Sequence, residues 1–459
     1  MMSVTSRNLH MNLVLLLICF VVMATQACMI DSIADAGAAE PVIFQRVFVE
    51  DVELSDMTRS EAEEALYQYV DKVVLQPLVL TSGDEAWQLD PNDIGLHVFV
   101  PEIVERALAV GRAGSWLDRL RFRRASPDKV VSIPLTMSVD EDLFKDFVFD
   151  LMAEIHIPAE DAVFIINEDD TVTVKPSRIG RHLDPRDLGN RIRETLPRRY
   201  DRTLVLNVQP IMPSLTTSQA NAMGIKECIG KFSTSFDPGN TSRVHNIREA
   251  ANAIDGTILG PGETFSFNKT VGPRSAETGY LDAPVMVEDD LVPGIGGGIC
   301  QVSSTLYNAV LLANLRVVAR VNHSMAPAYV PAGRDATVAY DYIDFRFRND
   351  GSSHVLIKFF LNKNTITSKV YGYMPSGQKI SIITSIEERI PPGVIKKEDA
   401  SLAPGDEVVE DSGAWGYVVT VYRVVEQDGT EQSRELISKD RYRPRSKRVR
   451  VGIALSEST

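Results

Sequence analysis

The run Pro293-Gly-Ile-Gly-Gly-Gly-Ile-Cys300-Gln-Val-Ser-Ser-Thr-Leu-Tyr-Asn-Ala-Val-Leu-Leu-Ala-Asn314 sets a cysteine directly behind a glycine loop. Gly294, Gly296, Gly297 and Gly298 remove side chains just ahead of the thiol, which lets a substrate backbone come close and permits unusual backbone angles. Beyond it, Val302, Leu306, Ala309, Val310 and Ala313 recur at steps of three and four, the spacing of a helix. Cys300 is therefore expected at a helix N-terminus, where unpaired N–H groups and the helix dipole favour an anion. A thiolate in such a place has a lowered pKa and is the reactive form. The N–H groups of Cys300 and Gln301, with a nearby glycine, are candidates to hold the oxyanion of a tetrahedral intermediate, so Gly296, Gly297, Gly298 and Gln301 read as an oxyanion and substrate loop. Glycine loops before helices also cradle phosphate, but this one lacks the Lys-Ser/Thr ending of a P-loop, which favours thiol chemistry.

A thiol nucleophile needs a base. His323 lies 23 residues after Cys300, behind a strand-like run from Arg316 to Val321, and a helix returning through a strand can bring a histidine back to the helix start. His245 competes for the role, but it opens a helical stretch, Val244 to Ile254, and reads as a packing or capping residue. Two carboxylates could orient the imidazole. Strict alternation over Tyr340 to Phe347 puts Tyr340, Tyr342, Asp344 and Arg346 on one face of an expected strand, where Asp344 can simply pair with Arg346. Asp335, in Gly333-Arg-Asp-Ala-Thr-Val338, follows His323 in a loop and is preferred. Arg334 is a candidate bidentate receptor for a substrate carboxylate, the competing reading being a local ion pair in the turn.

Composition narrows the setting. Four cysteines, Cys19, Cys28, Cys228 and Cys300, make no disulfide framework and no CxxC pair, so no metal site and no cofactor is expected. A lone Cys228–Cys300 disulfide is the competing reading of the active thiol. The formal net charge of −14 argues against nucleic-acid binding and against adhesion to anionic polymers by bulk charge. Arg7 and His10 precede a twelve-residue apolar run, Leu13 to Ala24, too short to span a bilayer and suited to a signal peptide over residues 1–28. Thr25-Gln-Ala-Cys28 also allows lipidation of Cys28, although Thr25 departs from the usual leucine; cleavage, lipid anchoring and an uncleaved anchor all place the rest of the chain outside the cell.

The elements that must carry the site read as α+β and multidomain. Helical spacing over Ser60 to Val74 and short strands at Pro77–Leu80 and Ala86–Leu89 lead to Ile94-Gly95 and a helix from Pro101 to Leu108. The pattern returns 85 residues later as a helix from Glu141 to Ala153, Val172-Thr-Val-Lys-Pro176, Ile179-Gly180 and a helix from Asp184 to Leu196. Two small α+β repeats are expected, over 46–127 and 128–210. Arg106, Arg112, Arg119, Arg121, Arg123 and Arg124 crowd their join and read as a solvated helix face rather than an anion site. From about Ile382 the turn signals Pro391-Pro392-Gly393, Pro404-Gly405, Gly413, Gly416 and Asp428-Gly429 frame alternating runs such as Tyr417 to Val425, an all-β module over 380–455. Its basic tail, Arg441 to Arg450, reads as an exposed strand face.

Several stretches together resemble the VanW family: Phe232-Ser-Thr-Ser-Phe, Arg243-Val-His-Asn-Ile247, Gly260-Pro-Gly-Glu-Thr-Phe-Ser-Phe-Asn268, Gly279-Tyr280, Gly296-Gly-Gly-Ile-Cys-Gln301, Leu306-Tyr-Asn308, His323-Ser324, Tyr329-Val-Pro331, Gly333-Arg-Asp-Ala-Thr337 and Asp344-Phe345. They place a VanW domain over 228–375. The paired repeats resemble peptidoglycan-binding repeats, and the C-terminal module resembles the five-glycine type found in extracellular adhesion. The resemblance implies an extracytoplasmic L,D-transpeptidase in which Cys300 attacks a stem peptide; His323 is read beside it as the base, and Ser324, Tyr329 and Arg334 as candidate substrate contacts. The alternatives it leaves are a cysteine peptidase or amidase acting on the same peptides, and a non-catalytic wall-binding scaffold associated with glycopeptide resistance. The implied partners are peptidoglycan stem peptides and glycan, with the membrane reached through the N-terminal signal or lipid.

Overall fold

A computed structural model describes residues 40–453, apart from 114, 116, 118–129 and 288–289. The signal-peptide and Cys28 expectations, and Arg119 to Arg124, lie outside the described residues. Two compact units are present: one runs to Ala159 and resumes over Ile179–Met212, the other takes Glu160–Arg178 and everything from Pro213 onward. Among the described residues no helix is long and apolar enough to cross a membrane.

In the first unit each expected helix forms, and its start explains itself. Thr58 and Glu61 make a reciprocal capping box for Arg59–Tyr69, and Asp140 and Asp184, one in front of each second-copy helix, each accept two backbone N–H groups. Ala62 and Leu66 pack against Ile103, Val104 and Ala107 of helix Val100–Ala109 to make one core. A second core joins Phe144, Val148 and Leu151 of Glu141–Ile155 to Leu188 and Ile192 of Pro185–Thr195. Leu78, Leu80 and Leu89, from the first copy's strands Leu78–Ser82 and Glu85–Leu89, fill that second core. Strand Thr203–Val205 then pairs parallel with Leu78–Ser82. The copies are interleaved, with the first copy's hairpin handed to the second. Arg106 donates to Thr136, and Arg112 to the carbonyls of Leu108 and Val42, so these two guanidinium groups serve local structure.

The second unit repeats the exchange. Hairpin Val163–Ile166 and Val172–Lys175 packs Phe164, Ile166 and Val172 on Ile225, Leu356 and Tyr371. The four-stranded sheet beneath has the order Glu227–Ser235, Thr365–Gly372, Val355–Asn362, Ile258–Leu259. Across it lies helix Ile299–Leu312, of whose side chains all but Cys300 and Leu312 are buried. It approaches strand Glu227–Ser235 so closely that a Cβ at Gly230 would stand 2.2 Å from the Ala309 carbonyl oxygen. Val302, Leu306 and Val310 join Ile229, Ile357, Ile366 and Val370 in the main core. The helix is buried on nearly every side, which its polar residues tolerate because Ser303, Ser304, Thr305 and Asn308 are all hydrogen-bonded.

The C-terminal part is all-β, as expected. Gln378–Ile390, Gly416–Gln427 and Thr430–Tyr442 form one antiparallel sheet. Lys447–Gly452 is the centre of a second, parallel to Val394–Asp399 and antiparallel to Glu407–Asp411. One local expectation fails: the run Tyr340 to Phe347 is not one strand. Only Arg346–Arg348 is extended, and Ala339 bridges Ile343 around Asp341, whose φ of 64° suits a turn aspartate. Alternation survives where the sheet exists, since Phe345 and Phe347 are fully buried.

Candidate active site

Gly298 is the N-cap of the cysteine helix at φ 110°. A Cβ there would lie 2.9 Å from Ile247 and 3.1 Å from Arg243, so both the backbone angle and the space demand glycine. Cys300 follows in the first turn, as the apolar spacing required. Its thiol sits 3.5 Å from the Val338 carbonyl oxygen. Among the described residues the Cys300 N–H has no backbone partner, whereas the Gln301 N–H is engaged by the Gly298 carbonyl at 3.0 Å. The Gln301 side chain is scaffolding: its amide donates to Thr234 and the Ser235 carbonyl and its oxygen accepts from Arg243.

The helix also fixes the partner loop. Ser303 donates to the Ala336 carbonyl at 2.6 Å, Ser304 accepts the Ala336 N–H at 2.9 Å, and Asn308 donates to the Arg334 carbonyl at 2.6 Å. These bonds hold Asp335 at a set height beside the thiol's own helix. Asp335 is completely buried. Its Oδ2 accepts both the His323 backbone N–H, at 2.7 Å, and Nδ1 of the ring, at 2.6 Å. With Nδ1 so occupied, Nε2 is the ring nitrogen left for the Cys300 thiol, which His323 influences electrostatically. Cys300 and His323 line one cavity, and His323 is held from behind by Asp335. Asp344 lies elsewhere, accepting from Ser266 at 2.7 Å and from the Asn268 N–H at 2.9 Å. His245 bonds the Gly279 carbonyl. Cys228 and Cys300 are both free thiols, which removes the disulfide reading.

The electrostatics favour an ion pair. Burial alone would push the Cys300 thiol up, but the hydrogen bond and charge of His323 outweigh it and hold the thiol below its ordinary value, with Arg274 adding to the pull. Burial would likewise depress His323, yet Asp335 and the facing thiolate raise it to about 9. Asp335 is held below the usual carboxylate range, burial being outweighed by His323, Arg320 and Tyr442. Opposite charges in a poorly solvated place stabilise each other's ionised forms.

Three residues of this array were not visible in sequence. Tyr442, at the end of strand Thr430–Tyr442 in the C-terminal module, donates to Asp335 Oδ1 at 2.5 Å and accepts the Gly333 N–H at 2.7 Å. Arg320 donates to the same Oδ1 at 3.1 Å, to the Asp335 carbonyl at 2.6 Å, and to both oxygens of Asp440 at 2.7 Å. The expected exposed strand face therefore contains a fully buried tyrosine that completes the carboxylate's hydrogen bonds. The only sequence signal was the Tyr-Arg interruption in a basic tail.

A cavity of about 610 Å³ opens on the thiol. Gly296, Gly297, Gly298, Gln301, Ser324 and Tyr329 all line it, with Cys300 and His323, as do Asn240, Arg243 and the Met325–Ala328 stretch. Arg334 does not. It is 9% exposed, its Nε donates to Asn308, and its guanidinium covers the Phe232 ring at 5.3 Å. The expectation that Arg334 receives a substrate carboxylate is corrected: its loop is pinned by the cysteine helix and by Tyr442, which turns the side chain inward. Arg274 is not among the cavity's lining residues; its guanidinium lies over the rings of Phe267 and Tyr340 at 5.5 and 5.6 Å. Among the described residues no cluster of His, Cys, Asp and Glu could hold a metal ion.

Three segments of the chain match known family models. Residues 87–205 match the family model described as "Putative peptidoglycan binding domain", 242–371 match "VanW like protein", and 382–454 match "G5 domain". The uncharacterised protein YoaR of Bacillus subtilis is 33% identical over 264 residues, which cover 58% of this chain and 86% of YoaR. The vancomycin B-type resistance protein VanW of Enterococcus faecalis is 31% identical over 135 residues, 28% of this chain and 49% of that protein. Two solved G5 structures, of HP0197-G5 and of an IgA1 protease G5 domain, share 25% and 23% identity over 17% of this chain, covering 100% and 94% of theirs, with TM-scores of 0.12 and 0.13. With the cysteine motif inside the matched segment, and a relative aligned over most of its own length, this chain belongs to the VanW family and is a cell-wall-associated protein.

Proposed function

We propose that this protein is a cysteine-dependent acyltransferase of the cell envelope, an L,D-transpeptidase that joins peptidoglycan stem peptides. The observation that carries the reading is the His323–Asp335 pair beside Cys300 at one cavity. The peptidoglycan-binding region and the kinship with a vancomycin resistance protein support a wall substrate. In this scheme the Cys300 thiolate adds to the carbonyl of the third stem residue. The Cys300 N–H, free and at the helix start, meets the oxyanion. Collapse breaks the bond to the terminal D-amino acid, whose amine takes the Nε2 proton of His323. The neutral imidazole then removes a proton from an incoming amine, which attacks the thioester and releases the thiol. Asp335 keeps Nδ1 protonated and supports the imidazolium. The peptidoglycan-binding repeats hold wall polymer nearby and raise its effective concentration.

Muropeptide digestion with purified protein and a free D-amino acid tests the reading. Exchange products that vanish in Cys300→Ala are expected. Trimmed peptides without exchange would mean a peptidase using the same thioester. Identical products from wild type and Cys300→Ala would leave a scaffold and end the catalytic reading.

A further inference from the structure

Two arginines, Arg243 and Arg274, act on the thiol by charge, and of these only Arg243 lines the cavity. Arg274 and Arg334 are turned onto aromatic rings and do not line it. Arg243 is in the first turn of helix Thr241–Ile254, its backbone N–H accepted by the N-cap Asn240 at 3.1 Å. Its stem lies in the space that Gly298 leaves by having no side chain, 3.1 Å from where a Cβ would be. The missing side chain thus serves two purposes: it gives the cysteine helix its start, and it admits a guanidinium beside that start.

The guanidinium is oriented from one side only. Its Nη2 donates to Gln301 Oε1 at 2.9 Å, and Gln301 is itself pinned by bonds to Thr234 and Ser235. No ion pair to Arg243 is found among the described residues, whereas Arg320, Arg423, Arg445 and Arg450 each meet a carboxylate; Arg274, whose guanidinium has no hydrogen-bond partner among the described residues, lies over two aromatic rings. No Asp or Glu occurs among the described residues that line the cavity. Burial lowers the Arg243 pKa, the sign of a cation short of compensation. An arginine has five N–H donors in a planar fork suited to a carboxylate, and one donor here is committed.

Resting on the acyltransfer reading, we propose that Arg243 is the carboxylate receptor of the donor site and selects donors that carry a free carboxylate near the scissile bond. Two positions on a stem peptide can supply that carboxylate: the terminal D-residue that leaves, and the side chain of a diamino acid at the third position. A charge-assisted pair of this kind is worth roughly ten- to hundredfold in kcat/KM.

The test uses the full chain and three synthetic tetrapeptide donors: free acid, C-terminal amide and side-chain amide. Exchange with a D-amino acid is followed by mass spectrometry for wild type, Arg243→Gln and Arg243→Lys. Wild type is expected to prefer the free acid over one of the two amides, and the amide that loses the preference identifies the carboxylate. In Arg243→Gln that ratio falls to about one; in Arg243→Lys part of it returns. A ratio unchanged by Arg243→Gln, or no acid preference in wild type, overturns the proposal. If wild type turns over no donor, the acyltransfer reading fails by itself. Protection of Cys300 from iodoacetamide by the same peptides then decides: equal protection by acid and amides overturns the Arg243 site, and stronger protection by the acid that Arg243→Gln removes sustains it. Melting curves and alkylation rates without peptide control for folding.

Discussion

At Cys300 two influences oppose each other, and their balance sets a pH window. Burial disfavours the thiolate, while the imidazolium of His323 favours it and prevails. His323 is raised to about 9, so its proton, and the attraction to Asp335 and the thiolate, are present below that value and lost as pH rises through it. The alkaline limb of kcat/KM is expected near pH 9, because above it no imidazolium remains to protonate the leaving amine. Asp335→Asn removes the carboxylate that raises His323. That limb should then move down, and the rate should fall roughly 10²- to 10⁴-fold. An unmoved limb would show that Asp335 does not govern the base. Gly298→Ala tests the loop: at φ 110° with a contact of 2.9 Å to Ile247, the added methyl should lower the melting temperature and slow Cys300 alkylation together. Much at this scale was legible. The glycine run and the three-four spacing mark Cys300, and chain proximity selects Asp335 over Asp344. Arg334 was misread because nothing local says that its loop is roofed by a strand from another module.

Among elements, the cysteine helix does more than present a thiol. Ser303, Ser304 and Asn308 clamp the segment that carries Asp335, so nucleophile and orienting carboxylate share one rigid support. The strand Thr430–Tyr442 supplies the other side. Tyr442→Phe removes one donor to a buried carboxylate. A loss of about 1.5–3 kcal/mol in stability is expected, with an upward shift of the alkaline limb, since a carboxylate with one donor fewer holds the imidazolium proton more tightly. If the melting curve falls and the limb stays, Tyr442 is structural only. This contact spans 107 residues, and no periodicity reports a partner at that distance. Helices, capped by Thr58, Asp140 and Asp184, were readable because their signals are local. The turn at Asp341 escaped because its alternating pattern is equally that of a strand.

For the molecule as a whole, the C-terminal module is joined to the thiol site through buried charge. Arg320 is 5% exposed and bridges Asp335 to Asp440. Removing residues after 377 would leave Arg320 and Asp335 short of partners, and breaking such a buried pair costs about 3–5 kcal/mol. A chain ended there is expected to be inactive and to melt earlier than the full protein; retained activity would show that the module is dispensable. α+β character and the all-β end were plain from composition of the segments. Interleaving was not, because a repeat shows its own pattern and never the core that pattern fills.

The hairpin at 163–175 has a practical consequence. Asp170 is paired with Lys369, accepts from the Tyr371 hydroxyl at 3.1 Å, and its carbonyl accepts the Cys228 N–H at 3.0 Å. Cutting the gene where the sequence repeat ends would strip that plug from Ile225, Leu356 and Tyr371 and bare an apolar floor to water. Fragments opened at 228 should precipitate, and one opened near 160 would carry 179–212 without the rest of its core, so a fragment for crystallisation or transplantation should keep both units.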